Sequence, residues 1–165
     1  MENCQLAVHL SYATPAGHTL LDVALYLPKS WAEDPQRRAE AGVPDSACFA
    51  TKPQLARRLI ETAVAGGLPC RWVAGDEAYG GDLNLAAALR GYRLGYVLAV
   101  SCSHRVPTGL GVQRADQIAA SLPKQAWQRM SAGGRGERIP LLRLGVHHPA
   151  ESYRPARRAS LSLSE

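Results

Sequence analysis

Residues 72–81 read WVAGDEAYGG, three apolar residues that run through Gly75 into the adjacent carboxylates Asp76 and Glu77 and end in two glycines. A short apolar run bounded in this way reads as a buried strand entering a Gly-rich loop. In an open α/β sheet the carboxyl end of a strand faces the crevice where ligands bind, and Asp76 stands at that end. A carboxylate so placed suits a hard divalent cation, because Mg²⁺ binds through one or two carboxylates together with water and phosphate oxygens. The same residues also fit an ordinary turn, with Asp76 and Glu77 capping the next helix and Gly80-Gly81 permitting positive φ.

Working outward, the segment before this strand is the clearest helix in the chain. Thr51 is placed to cap it and Pro53 falls in the first turn; Leu55, Leu59, Ile60 and Ala63 follow at helical spacing until Gly66-Gly67 stops it. Further upstream, CQLAVHLSY alternates with Leu6, Val8 and Leu10 on one face, and LLDVALYLP carries Leu21, Val23, Leu25 and Leu27 in phase. The intervening ATPAGH makes this a hairpin signature, with a loop longer than the tightest two-residue type. Between hairpin and helix, KSWAEDPQRRAEAGVPD forms a short helix terminated by Gly42 and Pro44. Downstream, DLNLAAALRG reads as a helix capped by Asp82 and ended by Gly91, and GYVLAVSC as a strand buried on both faces. The order strand, strand, helix, strand, helix, strand describes an α/β domain with an antiparallel hairpin and a right-handed crossover. Ala115 to Ala120 forms one more short helix, and Trp127 lies in a strand or loop.

The 165 residues allow one domain with a core built from Ala, Val and Leu, since aromatics are only 6% of the chain. A formal charge of +5 admits an anionic partner without requiring one. The four cysteines are widely separated and no secretory segment precedes them, which fits reduced, partly buried thiols in a soluble cytoplasmic protein. No apolar stretch approaches the ~20 residues that span a bilayer. His147-His148 adjoins no Cys pair and no H-E-x-x-H pattern, which argues against zinc. SAGGRGER lacks the G-K-[ST] ending of a phosphate-binding loop, and Ser101, Ser103 and His104 lack the G-x-S-x-G elbow of a hydrolase.

ENCQLAVHLSYATPAGHTLLDVALYLPKSW, AGVPDSACFATKPQLARRLIE, WVAGDEAYGGD, YVLAVSCSHRV and AWQRMSAGG occur in the order and approximate spacing seen in bacterial insertion-sequence transposases. These are the DDE-superfamily endonucleases with a ribonuclease-H-like fold, and the resemblance covers residues 2 to about 134. It implies that Asp76 is the second aspartate of a catalytic triad in which two aspartates and a glutamate hold two divalent metals against a phosphodiester. Glu77 and Tyr79 belong to the same motif without an assigned step. In the family the first aspartate lies on a strand upstream of the stretch corresponding to Glu2-Asn3-Cys4-Gln5, and the glutamate on a helix well downstream. Neither Asp22 nor Glu137 stands in a matching motif, so Asp76 is the single catalytic and metal-ligating residue the resemblance carries over.

The resemblance therefore implies a partial ribonuclease-H-like fold lacking its first strand and its final catalytic helix, over a domain of residues 1–138. Loss of the first strand would leave an unpaired sheet edge beside the hairpin, and the fragment is expected to fold poorly. Residues 139–165 lack Asp, Lys, Asn, Gln, Thr and Phe, show no convincing period, and read as a poorly ordered basic tail. Where the family has Tyr-Asp-Trp-Ala, Leu141 to Val146 reads LLRLGV. Codons permitted for LLRLGV encode Tyr-Tyr-Asp-Trp-Ala one base along, as a frameshift shortly before Ile139 would produce. The expected function is that of a DNA transposase fragment, inactive alone, whose intact relatives use Mg²⁺ on transposon-end DNA and act as oligomers. A non-catalytic DNA-binding or regulatory protein is the alternative, and a small metal-dependent hydrolase using Asp76 the third.

Overall fold

A computed structural model of the chain describes residues 5–129, 140–141 and 160–164. The chain divides into two compact units, residues 1–100 with 155–165, and residues 101–154. The sequence division at 138/139 follows resemblance, whereas packing returns the last residues to the first hundred.

In the first unit, β1 (Leu6–Thr14) and β2 (Gly17–Tyr26) form the expected antiparallel hairpin. Its connection is tighter than the sequence reading has it. Thr14 pairs with Gly17, leaving Pro15-Ala16 as a two-residue turn tied by Ala16 N–H donating to Thr14 Oγ1 at 3.2 Å. The leucine phase of the second strand is also broken. Leu10 pairs with Asp22 but Ser11 with Leu20, so Leu21 is the extra residue of a bulge. Ala24 and Tyr26 pack against the core, while Val23 and Leu25 lie on the opposite face, 50% and 53% exposed.

Two short helices follow, α1 (Lys29–Ala32) and α2 (Pro35–Glu40), the second capped by Asp34 with Pro35 in its first turn. The long helix α3 (Lys52–Ala65) begins as its sequence dictates. Thr51 accepts from Gln54 N–H while the Gln54 side chain accepts from Thr51 N–H, a reciprocal capping box. Leu55, Ala56, Leu59 and Ile60 form its buried stripe. It ends where Gly67 takes φ +74 and Leu68 N–H reaches back to the Ala63 carbonyl, a closure that favours glycine.

β3 (Trp72–Gly75), the one-turn α4 (Glu77–Gly80), α5 (Leu83–Gly91) and β4 (Gly95–Leu98) complete the crossover, with β3 and β4 parallel. β4 is an edge strand with Val97 45% exposed, not the doubly buried strand its apolar run suggests.

The second unit holds a hairpin absent from the sequence reading, β5 (Arg105–Thr108) and β6 (Gly111–Arg114). The expected helix α6 (Ala115–Ser121) and a 3₁₀ turn (Lys124–Ala126) follow. β7 (Gln128–Arg129) pairs with β8 (Pro140–Leu141). The Gly-rich loop and Glu137 lie outside the described residues.

The largest departure is β9 (Ser160–Ser164). It enters the middle of the first unit's five-stranded sheet, whose order is β2-β1-β9-β3-β4, antiparallel to β1 and parallel to β3. The edge expected to stand open beside the hairpin is occupied, and the tail expected to be poorly ordered supplies a strand there. The reason is physical: β1 and β3 both present unpaired backbone groups to that slot, and SLSLS alternates with period two. Leu161 and Leu163 drop onto the core face, 0% and 3% exposed, beside Val8, Leu10, Val73, Leu59 and Ile60. Residues 142–159 of the tail lie outside the described residues.

Candidate metal and nucleic-acid site

The site is built on the end of β3. Asp76, at φ −78 and ψ −170, leaves the strand still extended and caps α4, its Oδ1 accepting from Ala78 N–H at 2.9 Å. Its second carboxylate oxygen accepts no hydrogen bond among the described residues, and the side chain is exposed. Asp76 therefore caps a turn, and its other oxygen stands without a hydrogen bond among the described residues at the carboxyl end of a parallel strand.

The turn beneath that oxygen is rigidly seated. Tyr79 is fully buried and its hydroxyl donates to the Ser164 carbonyl of β9 at 3.2 Å. Gly80 sits so close to the end of β4 that a Cβ there would fall on the Ala99 carbonyl and lie 2.9 Å from Val100 Cγ1. Only glycine permits this approach, so Gly80 belongs to the elbow for packing and not merely for flexibility. On the strand side, a Cβ on Gly75 would lie 3.0 Å from Leu98 Cδ2 and 3.3 Å from the Tyr79 ring. Asp76 is thus held between two glycines pressed against neighbouring strands. Glu77 opens α4 and is exposed.

Among the described residues no group of three His, Cys, Asp or Glu side chains is placed to hold a metal. Asp22 lies on β2, where its Oδ1 accepts from Val23 N–H at 2.8 Å, and it does not join Asp76 in such a group. The described residues do not by themselves fit a two-metal clamp, which needs several convergent oxygens; Asp76 offers one.

Elsewhere in this unit, Glu61 of α3 accepts from Tyr92 Oη at 2.7 Å and from Arg57 Nε at 2.8 Å, tying α3 to the end of α5. The Tyr92 hydrogen bond first, then the Arg57 guanidinium, hold the Glu61 carboxyl below its ordinary value. The same bond pushes the Tyr92 phenol up. A shallow groove lined by Arg57, Asn84, Ala88 and Tyr92 adjoins this tie, and Asp76 does not line it. Cys48 and Cys102 are exposed, against the expectation of partial burial, whereas Cys70 is half-buried and burial pushes its thiol up, which disfavours the thiolate. In the second unit, the Ser101 and Ser103 hydroxyls share a 3.3 Å hydrogen bond and His104 N–H donates to the Ser101 carbonyl, a turn and not a nucleophile with its base.

A mixed sheet with a hairpin at one side, helices α3 and α5 on its core, and an exposed carboxylate ending a parallel strand defines a partial ribonuclease-H-like α/β fold. The family described as DDE superfamily endonuclease matches residues 1–150, and the chain belongs to it. That is a family of transposase-like nucleases, which act on DNA and generally use divalent metal ions. No curated protein and no solved structure matches the chain. No helix among the described residues is long and apolar enough to cross a membrane.

Proposed function

We propose that the chain is part of an insertion-sequence transposase catalytic domain, that Asp76 is the catalytic aspartate and a Mg²⁺ ligand in the intact enzyme, and that the chain alone does not cut DNA. The observation that carries this reading is the free oxygen of Asp76 at the carboxyl end of β3, on an elbow braced from both sides. In the intact enzyme Asp76 would be one of the residues that hold a divalent ion, whose chemistry there would be Lewis-acid assistance at a phosphodiester. This chain's part is narrower: the α4 backbone takes one oxygen of Asp76 and thereby aims the other. The described residues do not add enough further carboxylates to place two ions with the tolerance catalysis needs. Transposon-end DNA is the expected substrate and an intact transposase the expected oligomeric partner. Incubation of the full chain with supercoiled and end-containing DNA in Mg²⁺ or Mn²⁺ tests the proposal. No nicking is expected, and metal-dependent nicking that disappears in Asp76→Asn would show a self-sufficient nuclease instead.

The alternative, a non-catalytic DNA-binding or regulatory protein, is favoured by the formal charge of +5 and by exposed Arg58 beside Arg57 on α3. It predicts affinity for transposon-end DNA that falls steeply with salt as counterions are released. A gel-shift series at several salt concentrations reads this directly.

A further inference from the structure

Every strand partner of β9 lies in the first seventy-five residues: His9 to Ala13 on one side and Trp72 to Gly75 on the other. Its side-chain tie, from Tyr79 to the Ser164 carbonyl, also lies in the first unit. Among the described residues the slot is therefore built by the first unit, and it holds an extended run with leucines at alternate positions. The hold is limited. β9 pairs with five of the nine residues of β1 and buries two leucines. The connection from β8 to β9, residues 142–159, can reach roughly 60 Å when extended.

β1, β2, α3, β3, α5 and β4 precede β9 by at least sixty residues, since β4 ends at Leu98 and β9 starts at Ser160. The pairings of β9 join residues at least 88 apart, closures that are entropically costly and therefore slow. Until they form, the sheet has two facing open edges, β1 and β3, which template pairing with any suitable chain. A strand from a second molecule makes the same contacts as the chain's own, so the two arrangements differ mainly in connection entropy.

We infer that the slot between β1 and β3 is a strand-acceptor site whose intermolecular occupant is residues 160–164 of a second copy of this chain, giving a reciprocal strand-exchanged dimer. The inference is independent of the reading of Asp76.

Ser11 and Ser162 are directly paired and face away from the core, so they report the occupant of the slot. In a background with Cys4, Cys48, Cys70 and Cys102 replaced by serine or alanine, Ser11→Cys and Ser162→Cys are made singly and together. Chains carrying one substitution each are refolded in a mixture and oxidised or treated with a short thiol crosslinker. The doubly substituted chain, refolded dilute, is expected to close internally, which shows that the background folds with β9 in place. The mixture is expected to yield a dimer crosslinked between position 11 of one chain and position 162 of the other, in an amount that rises with protein concentration. Internal closure without a crosslinked dimer in the mixture, at any concentration tested, would overturn the inference, as would failure of both. Native mass spectrometry of the unsubstituted chain supplies a check free of the background. A dimer that grows with concentration and is lost in Leu161→Asp/Leu163→Asp is expected; a chain that stays monomeric throughout overturns the inference.

Discussion

At Asp76 an observed cap and a proposed metal-binding role share one side chain, and substitution separates them. Oδ1 caps α4 through Ala78 N–H, and the other oxygen accepts no hydrogen bond among the described residues. Asparagine caps a helix about as well as aspartate, whereas alanine costs about 1 kcal/mol. Asp76→Asn is therefore expected to melt within a degree or two of the natural chain, and Asp76→Ala several degrees lower, by thermal denaturation. A drop as large in Asn as in Ala would mean that the carboxylate charge itself stabilises the turn. Glu61 supplies the pH dependence. Its folded pKa is lowered below 4.5, so the stability it contributes is present above 4.5 and is lost as pH falls through the lowered value. The midpoint of melting is expected to fall with acidification across that range, and to fall less in Glu61→Gln. Equal acid sensitivity of the two proteins would remove Glu61 from the account. That Asp76 could be singled out from sequence reflects its setting, an apolar run and two glycines. The Glu61, Arg57 and Tyr92 tie could not be, because it joins residues thirty-one apart whose facing depends on how α3 and α5 pack.

At the scale of elements, legibility followed local chemistry. α3 was readable because its signals are contiguous: a capping threonine, a proline in the first turn, a 3.6-residue stripe and closing glycines. The β1–β2 hairpin was readable as strands, but its turn and the face of β2 were not. The bulge at Leu21 shifts the side-chain phase, and nothing in the sequence marks it apart from the apolar pair Leu20-Leu21. β9 was illegible for a stronger reason. Five residues, three of them serine, carry little hydrophobicity of their own, and their alternation becomes decisive only when two open strand edges already exist. The elbow at Gly80 makes a test at this scale. Gly80→Ala drives a methyl group into the Ala99 carbonyl, a backbone atom that cannot rotate away. A loss of about 2 kcal/mol or more is expected in chemical denaturation. A neutral effect would show that α4 is not pressed against the end of β4. Leu163→Ala, which empties a buried position in β9, is expected to cost about 2–5 kcal/mol. A change near zero would mean that β9 is not part of the cooperative sheet.

For the whole molecule, family membership and site geometry point in different directions. The chain belongs to a family of metal-using DNA nucleases. Among its described residues, nevertheless, no group of three His, Cys, Asp or Glu side chains is placed to hold a metal at the strand end that carries Asp76. Asp76 is accordingly proposed to keep the position and the metal affinity of a catalytic aspartate, with no complete catalytic set around it among the described residues. Paramagnetic broadening by Mn²⁺ in two-dimensional amide spectra of the full chain tests this most directly. Selective broadening of amides from Gly75 to Tyr79 is expected at millimolar Mn²⁺, abolished in Asp76→Asn although that protein stays folded. Absence of broadening there, or broadening that persists unchanged in Asp76→Asn, would contradict it.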